Sequence, residues 1–98
     1  MIKTFRNETT KDNYNGEHSK RARKILPTEL WRIAERKLDQ LDSVVCLEEL
    51  QIPPGNRFEA LTGTRKGEFS IRINDQYRLC FKWSAGGPVN VEITDYHR

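Results

Sequence analysis

Several features that define large protein classes are missing from this sequence of 98 residues. No run of eighteen apolar residues is present, so the sequence predicts no membrane-spanning helix and no membrane partner. The start, MIKTFRNETT, lacks the apolar stretch of a secretory signal, and we therefore expect a cytoplasmic protein. With 36% hydrophobic and 32% charged residues, residues 1–98 are expected to form a single polar globular domain with one modest core.

Motifs that bind metals or cofactors are also missing. Cys46 and Cys80 have no CxxC spacing, which argues against a zinc site and predicts two free thiols in a reducing compartment. The glycine-containing stretch LTGTRKGEF does not have the GxxxxGK[ST] spacing of a phosphate-binding P-loop. No cluster of carboxylates indicates a magnesium-dependent nuclease. The sequence therefore predicts a protein without a metal or another cofactor.

Aliphatic residues are absent from NETTKDNYNGEHSK, residues 7–20, whose single aromatic residue is Tyr14. Such a segment cannot bury enough apolar surface to offset its ordering entropy, and we expect it to be flexible in isolation. The next stretch, KRARK, has four cations in five residues. This pattern is typical of a solvated segment, and binding of a nucleic acid or a partner is the alternative.

The sequence does contain the pattern of a helix followed by three β-strands. After Pro27, apolar residues recur at helical spacing, which predicts an amphipathic helix ending near residues 42–45. These residues are Leu30, Ala34, Leu38, Leu41 and Val45. PPGN marks a break, and EFSIRI, YRLCFKW and VNVEIT then alternate apolar and polar residues as half-buried strands do. Ile2–Phe5 is a further short strand candidate. We predict an α+β domain, a small antiparallel β-sheet with N-terminal helices packed on one face.

The alternation also predicts how the first two of these strands pair. An odd-residue loop between them places Ile71 opposite Leu79 on the buried face and Arg72 opposite Arg78 on the solvent face. Like charges directly opposite each other destabilise a sheet by about a few tenths of a kcal/mol or more. Two explanations remain open for the arginine pair: a neutralising acid, for which Glu92 is a candidate, or the phosphate of a ligand.

Positive charge is concentrated between residues 57 and 82, where six Lys or Arg residues stand against three Asp or Glu residues. Such an excess indicates an anionic partner. Within this region, Gly63 and Gly67 bracket Arg65 and Lys66, so the backbone can approach a ligand closely while two cations project from it. Lys82 adds a cation further along the next strand.

The last residues, EITDYHR, gather a carboxylate, a phenol and an imidazole at the end of a predicted strand. Strand parity would drive Asp95 and His97 toward the core, where unpaired ionisable groups are costly. We therefore expect the strand to end or bend near Thr94. One interpretation of these residues is a solvated tail anchored by Tyr96.

Metal-free cleavage of RNA is the second interpretation of the same residues. This reaction needs a base for the 2′-hydroxyl proton, an acid for the 5′-oxygen leaving group and cations for the charge on phosphate. His97 can serve either proton role near neutral pH, and Asp95 can orient that imidazole or act as the base. Tyr96 can stack on a nucleobase or donate to phosphate. Arg72 and Arg78 offer the positive charge.

The stretch PPGNRFEALTGTRKGEFSIRINDQYRLCFKW, followed by GPVNVEITDYH, resembles the HigB-type toxins of bacterial toxin–antitoxin modules. The resemblance is closest to their GraT-like branch in the RelE/ParE superfamily and covers about residues 33–97. It implies a RelE-like, microbial-RNase-like domain that cuts mRNA in the ribosomal A site. It also implies silencing by a helix-turn-helix antitoxin of the HigA or GraA type. Operator DNA would be contacted only through the toxin–antitoxin complex.

The same resemblance implies roles for individual residues. Arg78 is similar in position to the family's phosphate-stabilising arginine, and Asp95, Tyr96 and His97 resemble its C-terminal functional residues. Some HigB toxins carry a histidine where this sequence has Glu59, which implies a slower toxin or one that uses Glu59. The residues predicted to bind RNA or the ribosome are Arg65, Lys66, Arg72 and Lys82.

Two further positions differ from the pattern of HigB toxins. Thr62 stands where some members have a lysine, and Asn74 stands where they have a basic residue on an RNA-facing strand. The alternative function is therefore a non-catalytic or weakly catalytic toxin that binds the ribosome, RNA or another target such as gyrase. The terminal Asp-Tyr-His favours the nuclease, because gyrase-directed relatives do not need it.

Overall fold

The computed structural model describes residues 1–17 and 19–95. Four antiparallel strands form one sheet in the order β1–β2–β3–β4. Their bounds are β1 Glu59–Ala60, β2 Phe69–Arg72, β3 Tyr77–Ser84 and β4 Gly87–Asp95. Strand β2 pairs with β3 so that Ile71 lies opposite Leu79 and Arg72 opposite Arg78. The predicted register of this hairpin is therefore confirmed.

Helices make up the first half of the chain. They are α1 Glu8–Tyr14, α2 Lys20–Ile25 and α3 Trp31–Ser43, and short 3-10 segments follow at Leu47–Gln51 and Pro54–Asn56. Helix α3 places Ala34, Leu38 and Leu41 on its buried face, at the spacing predicted for an amphipathic helix. Together with the antiparallel sheet, these helices confirm the α+β class.

The hydrophobic core lies between helix α3 and one face of the sheet. Leu38 and Leu41 are fully buried there with Ile71, Leu79 and Phe81 of strands β2 and β3. Not every apolar residue of the helical pattern joins this core. Val45, predicted to be on the buried face, lies beyond the end of α3 and has 86% of its surface exposed.

The segment predicted to be flexible in isolation, residues 7–20, contains helix α1. Polar groups replace the missing aliphatic contacts. Asn7 caps the helix by accepting from the Thr10 backbone N–H (2.9 Å), and the Thr10 hydroxyl accepts from the Ile93 N–H (3.0 Å). Asp12 is buried and accepts from Arg21 Nε at 2.6 Å. These contacts join the segment to the rest of the domain, and its flexibility in isolation stays a prediction.

Strand β4 departs from the predicted alternation at Asn90. The backbone of Asn90 has a φ of 54°, and the register with β3 shifts there by a bulge. As a result Val89 lies opposite Lys82, on the outer face, and its predicted inward position is wrong. The strand is described to Asp95, next to Thr94, near which we expected it to end or bend.

The N-terminal residues run along β4 in a parallel direction. Phe5 forms an isolated bridge with Val91, and the Lys3 N–H donates to the Pro88 carbonyl (2.8 Å). The predicted strand at Ile2–Phe5 is thus reduced to one bridge. In the part of the chain that the structure describes, no helix is long and apolar enough to cross a membrane.

Candidate functional site

Arg78, in strand β3, has a guanidinium group that is held in place by several acceptors. Its Nε donates to the Ser70 hydroxyl at 2.7 Å, and its Nη2 donates to the Arg57 carbonyl at 2.6 Å. The carboxylate of Glu59 lies 3.7 Å from the same Nη2. Only 11% of the Arg78 side chain is exposed. A guanidinium fixed in this way is preorganised, so little rotamer entropy is lost when it donates to an anion.

Arg72 lies directly across the hairpin from Arg78. Its Nη2 forms an ion pair of 2.5 Å with Asp75, whose side chain is 97% exposed. An ion pair with such an exposed partner is weak, so the Arg72 guanidinium remains available to another anion. The sequence proposed Glu92 as the acid that neutralises the arginine pair, and this proposal is wrong. The carboxylates of Glu59 and Asp75 stand beside the two arginines instead.

The turn at residues 53–57 supports both Arg78 and Lys37. Arg57 has a left-handed backbone, with φ at 45°, and its carbonyl accepts from Arg78. The preceding residue, Asn56, is fully buried, and its Oδ1 accepts a hydrogen bond from Lys37 Nζ of helix α3. Asn56 Nδ2 donates to Gln40 Oε1 (3.0 Å) and to the Leu50 carbonyl (3.1 Å).

Arg65 has a different environment from the one predicted. Its two amino groups donate to Glu68 (2.9 Å) and to Glu92 (2.8 Å), whose side chains are 10% and 16% exposed. These carboxylates, Glu92 above all, raise the pKa of Arg65. Arg6 also lies near Glu92, at 3.6 Å. Arg65 therefore belongs to a partly buried ion cluster with two carboxylates, and its role in RNA binding stays a prediction.

The other predicted site residues fall into three groups. Lys66 and Lys82 are exposed, and Lys82 is four positions beyond Arg78, roughly 13 Å along the strand. Asp95 is exposed at the end of β4, where it accepts a hydrogen bond from Gln76 (3.1 Å). Tyr96 and His97 lie outside the described residues.

Asp95 and Arg78 do not project from the same face of the sheet. Asp95 is paired with Tyr77, whereas Arg78 is paired with Thr94. Because successive side chains of a strand point to opposite faces, Asp95 shares the face of Tyr77. The structure therefore brings together Arg78, Arg72 and Glu59, and it places Asp95 at the same end of the sheet but on its other side.

A groove of about 410 Å³ opens between helix α3 and the end of strand β2, and we call it the α3–β2 groove. Its lining residues are Ile33, Arg36, Lys37, Gln40, Gly55, Arg72 and Ile73. Three of them are cationic, and none is acidic. Burial, together with the charges of Arg36 and Arg72, lowers the pKa of Lys37.

Sequence reasoning missed Arg36 and Lys37. A signal was present, because Ile33, Arg36, Lys37 and Gln40 recur at the three- and four-residue spacing of one helix face. The apolar pattern of α3 drew attention to the other face. Within residues 1–17 and 19–95, no group of three His, Cys, Asp or Glu side chains is arranged to hold a metal ion.

Comparison with known proteins supports a single family. The model of the HigB-like toxins, described as RelE-like toxins of type II toxin–antitoxin systems, matches residues 3–97. The chain belongs to the HigB-like toxin family. It is 45% identical over 82 residues to Toxin HigB-1 of Vibrio cholerae, an alignment that covers 84% of each chain. It is also 36% identical over 84 residues to an uncharacterized protein of Haemophilus influenzae, covering 86% of this chain and 77% of that protein.

Membership of this family confirms the resemblance drawn from the sequence. A type II toxin–antitoxin system pairs its toxin with an antitoxin protein, so an antitoxin is the partner that the family implies. The antiparallel sheet and the helices packed on it agree with a RelE-like fold.

Proposed function

We propose that this HigB-like toxin is a ribosome-dependent endoribonuclease that cleaves mRNA in the ribosomal A site without a metal ion. The observation that carries the proposal is the pair of arginines facing each other across the β2–β3 hairpin. Arg78 is preorganised by Ser70 and the Arg57 carbonyl, while Arg72 is paired with an exposed acid, Asp75. Two guanidinium groups so placed can stabilise the extra negative charge of a five-coordinate phosphate.

The proton transfers are assigned to side chains near the end of β4. An imidazole can exchange a proton near neutral pH, and His97 is proposed to donate or accept the proton, with Asp95 orienting it or acting as the base. Tyr96 is proposed to stack on a nucleobase or to donate to phosphate. Glu59, close to Arg78, is a further base candidate because it reaches the same guanidinium. A ribosomal target places the protein in the cytoplasm.

The proposed partners follow from this function. The chain would bind the ribosome and its mRNA directly, and a helix-turn-helix antitoxin of the HigA or GraA type would silence it. Operator DNA would be bound only by the complex of toxin and antitoxin. Of the residues first expected to bind RNA, Arg72, Lys66 and Lys82 remain exposed or half-exposed, whereas Arg65 is engaged by two carboxylates.

One observation favours a second candidate, a toxin that binds the ribosome, RNA or another target such as gyrase with little or no cleavage. The Asp95 and Arg78 side chains leave opposite faces of the sheet. A base on one face and a phosphate-binding cation on the other are less suited to act on one phosphodiester.

Expression of the chain without an antitoxin separates the two candidates. The nuclease predicts growth arrest together with new 5′ ends in ribosome-bound mRNA, and both should disappear in the Arg78→Ala/His97→Ala double variant. Arg32→Gln, which changes an exposed cation of α3, serves as the matched control and should retain both effects. Growth arrest that survives the double variant would sink the nuclease assignment and favour the non-cleaving toxin.

A further inference from the structure

The α3–β2 groove has the properties of an anion site that is separate from the acceptors around Arg78. The cations Arg36, Lys37 and Arg72 line it, and none of the described residues that line it carries a carboxylate. The acid paired with Arg72 is Asp75, whose side chain is almost entirely in water. Three positive groups around one concave surface repel one another, and an anion in the groove relieves that repulsion.

The groove is built by buried structure rather than by mobile surface side chains. Lys37 Nζ donates to Asn56, and Asn56 has no exposed surface. Gln40 forms the adjoining wall, because its amide donates to the Ile52 carbonyl (2.7 Å) and accepts from Asn56 (3.0 Å). The lysine is therefore held toward the groove by a hydrogen-bond network before any ligand arrives.

The size and the remaining lining indicate more than a bare phosphate. A volume of about 410 Å³ lies in the range of small-molecule sites. Ile33 and Ile73 supply apolar surface beside the cations, suited to a ribose or a nucleobase. The entrance of the groove is open at Gly55, where an added side-chain carbon would meet no atom within 4 Å.

We infer that the α3–β2 groove binds one phosphate-bearing nucleotide of the RNA strand, next to the position where Arg78 holds the scissile phosphate. Arg72 lies between the two positions, because it lines the groove and also faces Arg78 across the hairpin. Arg36 and Lys37 of helix α3 hold the neighbouring phosphate. The identity of the strand as mRNA rests on the proposed function, whereas the nucleotide chemistry rests on the groove itself.

Binding of adenosine 5′-monophosphate tests the inference on the full chain without ribosomes. Nitrogen-15 NMR would follow the Nε–H signals of the arginines as the nucleotide is added. We expect saturable shifts at Arg36 and Arg72, and weaker saturation with inorganic phosphate, which cannot contact the isoleucines. Arg36→Gln should reduce the affinity about tenfold, the usual loss for a charge-assisted hydrogen bond.

Two further variants keep the test independent of any damage to folding. Arg32→Gln removes an exposed cation of the same helix that does not line the groove, and it should change the affinity less than about twofold. Gly55→Glu adds a carboxylate at the open entrance, and it should weaken binding while all three cations remain. Equal losses from Arg32→Gln and Arg36→Gln would show a diffuse charge effect and overturn the inference.

Three other outcomes would also overturn it. These are the absence of saturable shifts at Arg36 and Arg72, equal affinity for phosphate and the nucleotide, and tighter binding of hexaglutamate than of an RNA oligonucleotide of equal charge. The last result would assign the groove to an acidic protein partner. Cleavage of ribosome-bound mRNA is measured in parallel. Cleavage without nucleotide binding refutes the groove alone, and nucleotide binding without cleavage supports the groove while refuting the proposed nuclease.

Discussion

Arg65 and Arg72 flank the start and the end of strand β2, and the sequence gives both of them the same expected role in RNA binding. Their surroundings are opposite. Arg65 is clasped by Glu68 and Glu92, both largely buried, whereas Arg72 faces one acid that is almost wholly in water. The guanidinium of Arg65 is thus paired with two partly buried acids, and that of Arg72 with an exposed one, which leaves Arg72 the better candidate for binding a ligand. The comparison indicates that an arginine is more readily available to a ligand when the carboxylate paired with it is exposed to water than when it is buried.

The largest expected effect concerns stability. Arg65→Ala leaves two partly buried carboxylates without their cation, and we expect it to lower the free energy of unfolding by about 2 kcal/mol. Arg72→Ala removes only an exposed ion pair and should cost less than about 0.5 kcal/mol. Urea unfolding of the two variants measures the difference. Equal losses would contradict the distinction between a structural and an available arginine.

The second prediction concerns ribosome binding, in which Arg72→Ala should have the larger effect and Arg65→Ala the smaller one, the reverse of their order in stability. Arg72→Ala should weaken binding and reduce the slope of log affinity against log salt by about 0.7, the contribution of one contact to single-stranded phosphate. Arg65→Ala, compared at equal folded concentration, should leave the slope unchanged. Titrations at several salt concentrations provide the measurement. If the slope changes in Arg65→Ala and not in Arg72→Ala, then Arg65 contacts phosphate and Arg72 does not, which contradicts the prediction.

The third prediction tests whether another ion pair behaves like the Arg65 cluster. Hydrogen bonds from Arg21 and Ser19 lower the pKa of Asp12. A carboxyl whose pKa is lower in the folded state stabilises the fold above its unfolded pKa, and this contribution is lost as the pH falls through the folded value. Asp12→Asn should therefore reduce stability at neutral pH and flatten its decline in acid.

Thermal unfolding between pH 7 and pH 2 provides the measurement for Asp12. Glu29→Gln, which changes an exposed acid next to α3, is the control and should leave the pH profile unaltered. An unaltered profile in Asp12→Asn would mean that the buried carboxylate adds nothing to acid sensitivity.

The smallest effect is a local one at the α3–β2 groove. Because burial and two neighbouring arginines lower the pKa of Lys37, removing one arginine should return this pKa toward its ordinary value. NMR titration of the lysine ε-methylene signals can follow the change in Arg36→Gln, with Arg32→Gln as the control. If the pKa of Lys37 does not change in Arg36→Gln, the charge of Arg36 does not contribute to lowering it.

Much of the fold was predictable because it depends on local alternation. Apolar residues two apart fixed the β2–β3 register, and residues three and four apart marked the buried face of α3. Helix α1 was not predictable from composition. It is held by contacts distant in sequence, such as the Thr10 hydroxyl with the Ile93 N–H, and by its Asn7 cap. The bulge at Asn90 was not predictable either: it turns the Val89 side chain to the outer face of the sheet, and the alternation of apolar residues does not indicate it.

The candidate site was predictable only in part. The register of the β2–β3 hairpin places Arg72 opposite Arg78, so this pair could be predicted from the sequence. The partners of a cation do not follow from strand spacing, because Glu92 lies 27 residues from Arg65 and Arg57 lies 21 residues from Arg78. Local spacing places Arg36 and Lys37 on one face of α3, but the groove itself depends on the approach of this helix to the end of β2, which the spacing does not encode.

Two consecutive residues of the turn after α3 act on two different cations. Asn56 holds Lys37 through its side chain, and Arg57 holds Arg78 through its backbone carbonyl. The two groups that accept from these cations are therefore joined by a single peptide bond. An inserted residue between Asn56 and Arg57 would move the two acceptors apart while preserving every charge. The main chain of this turn would then alter how Lys37 and Arg78 are held without the loss of a basic side chain.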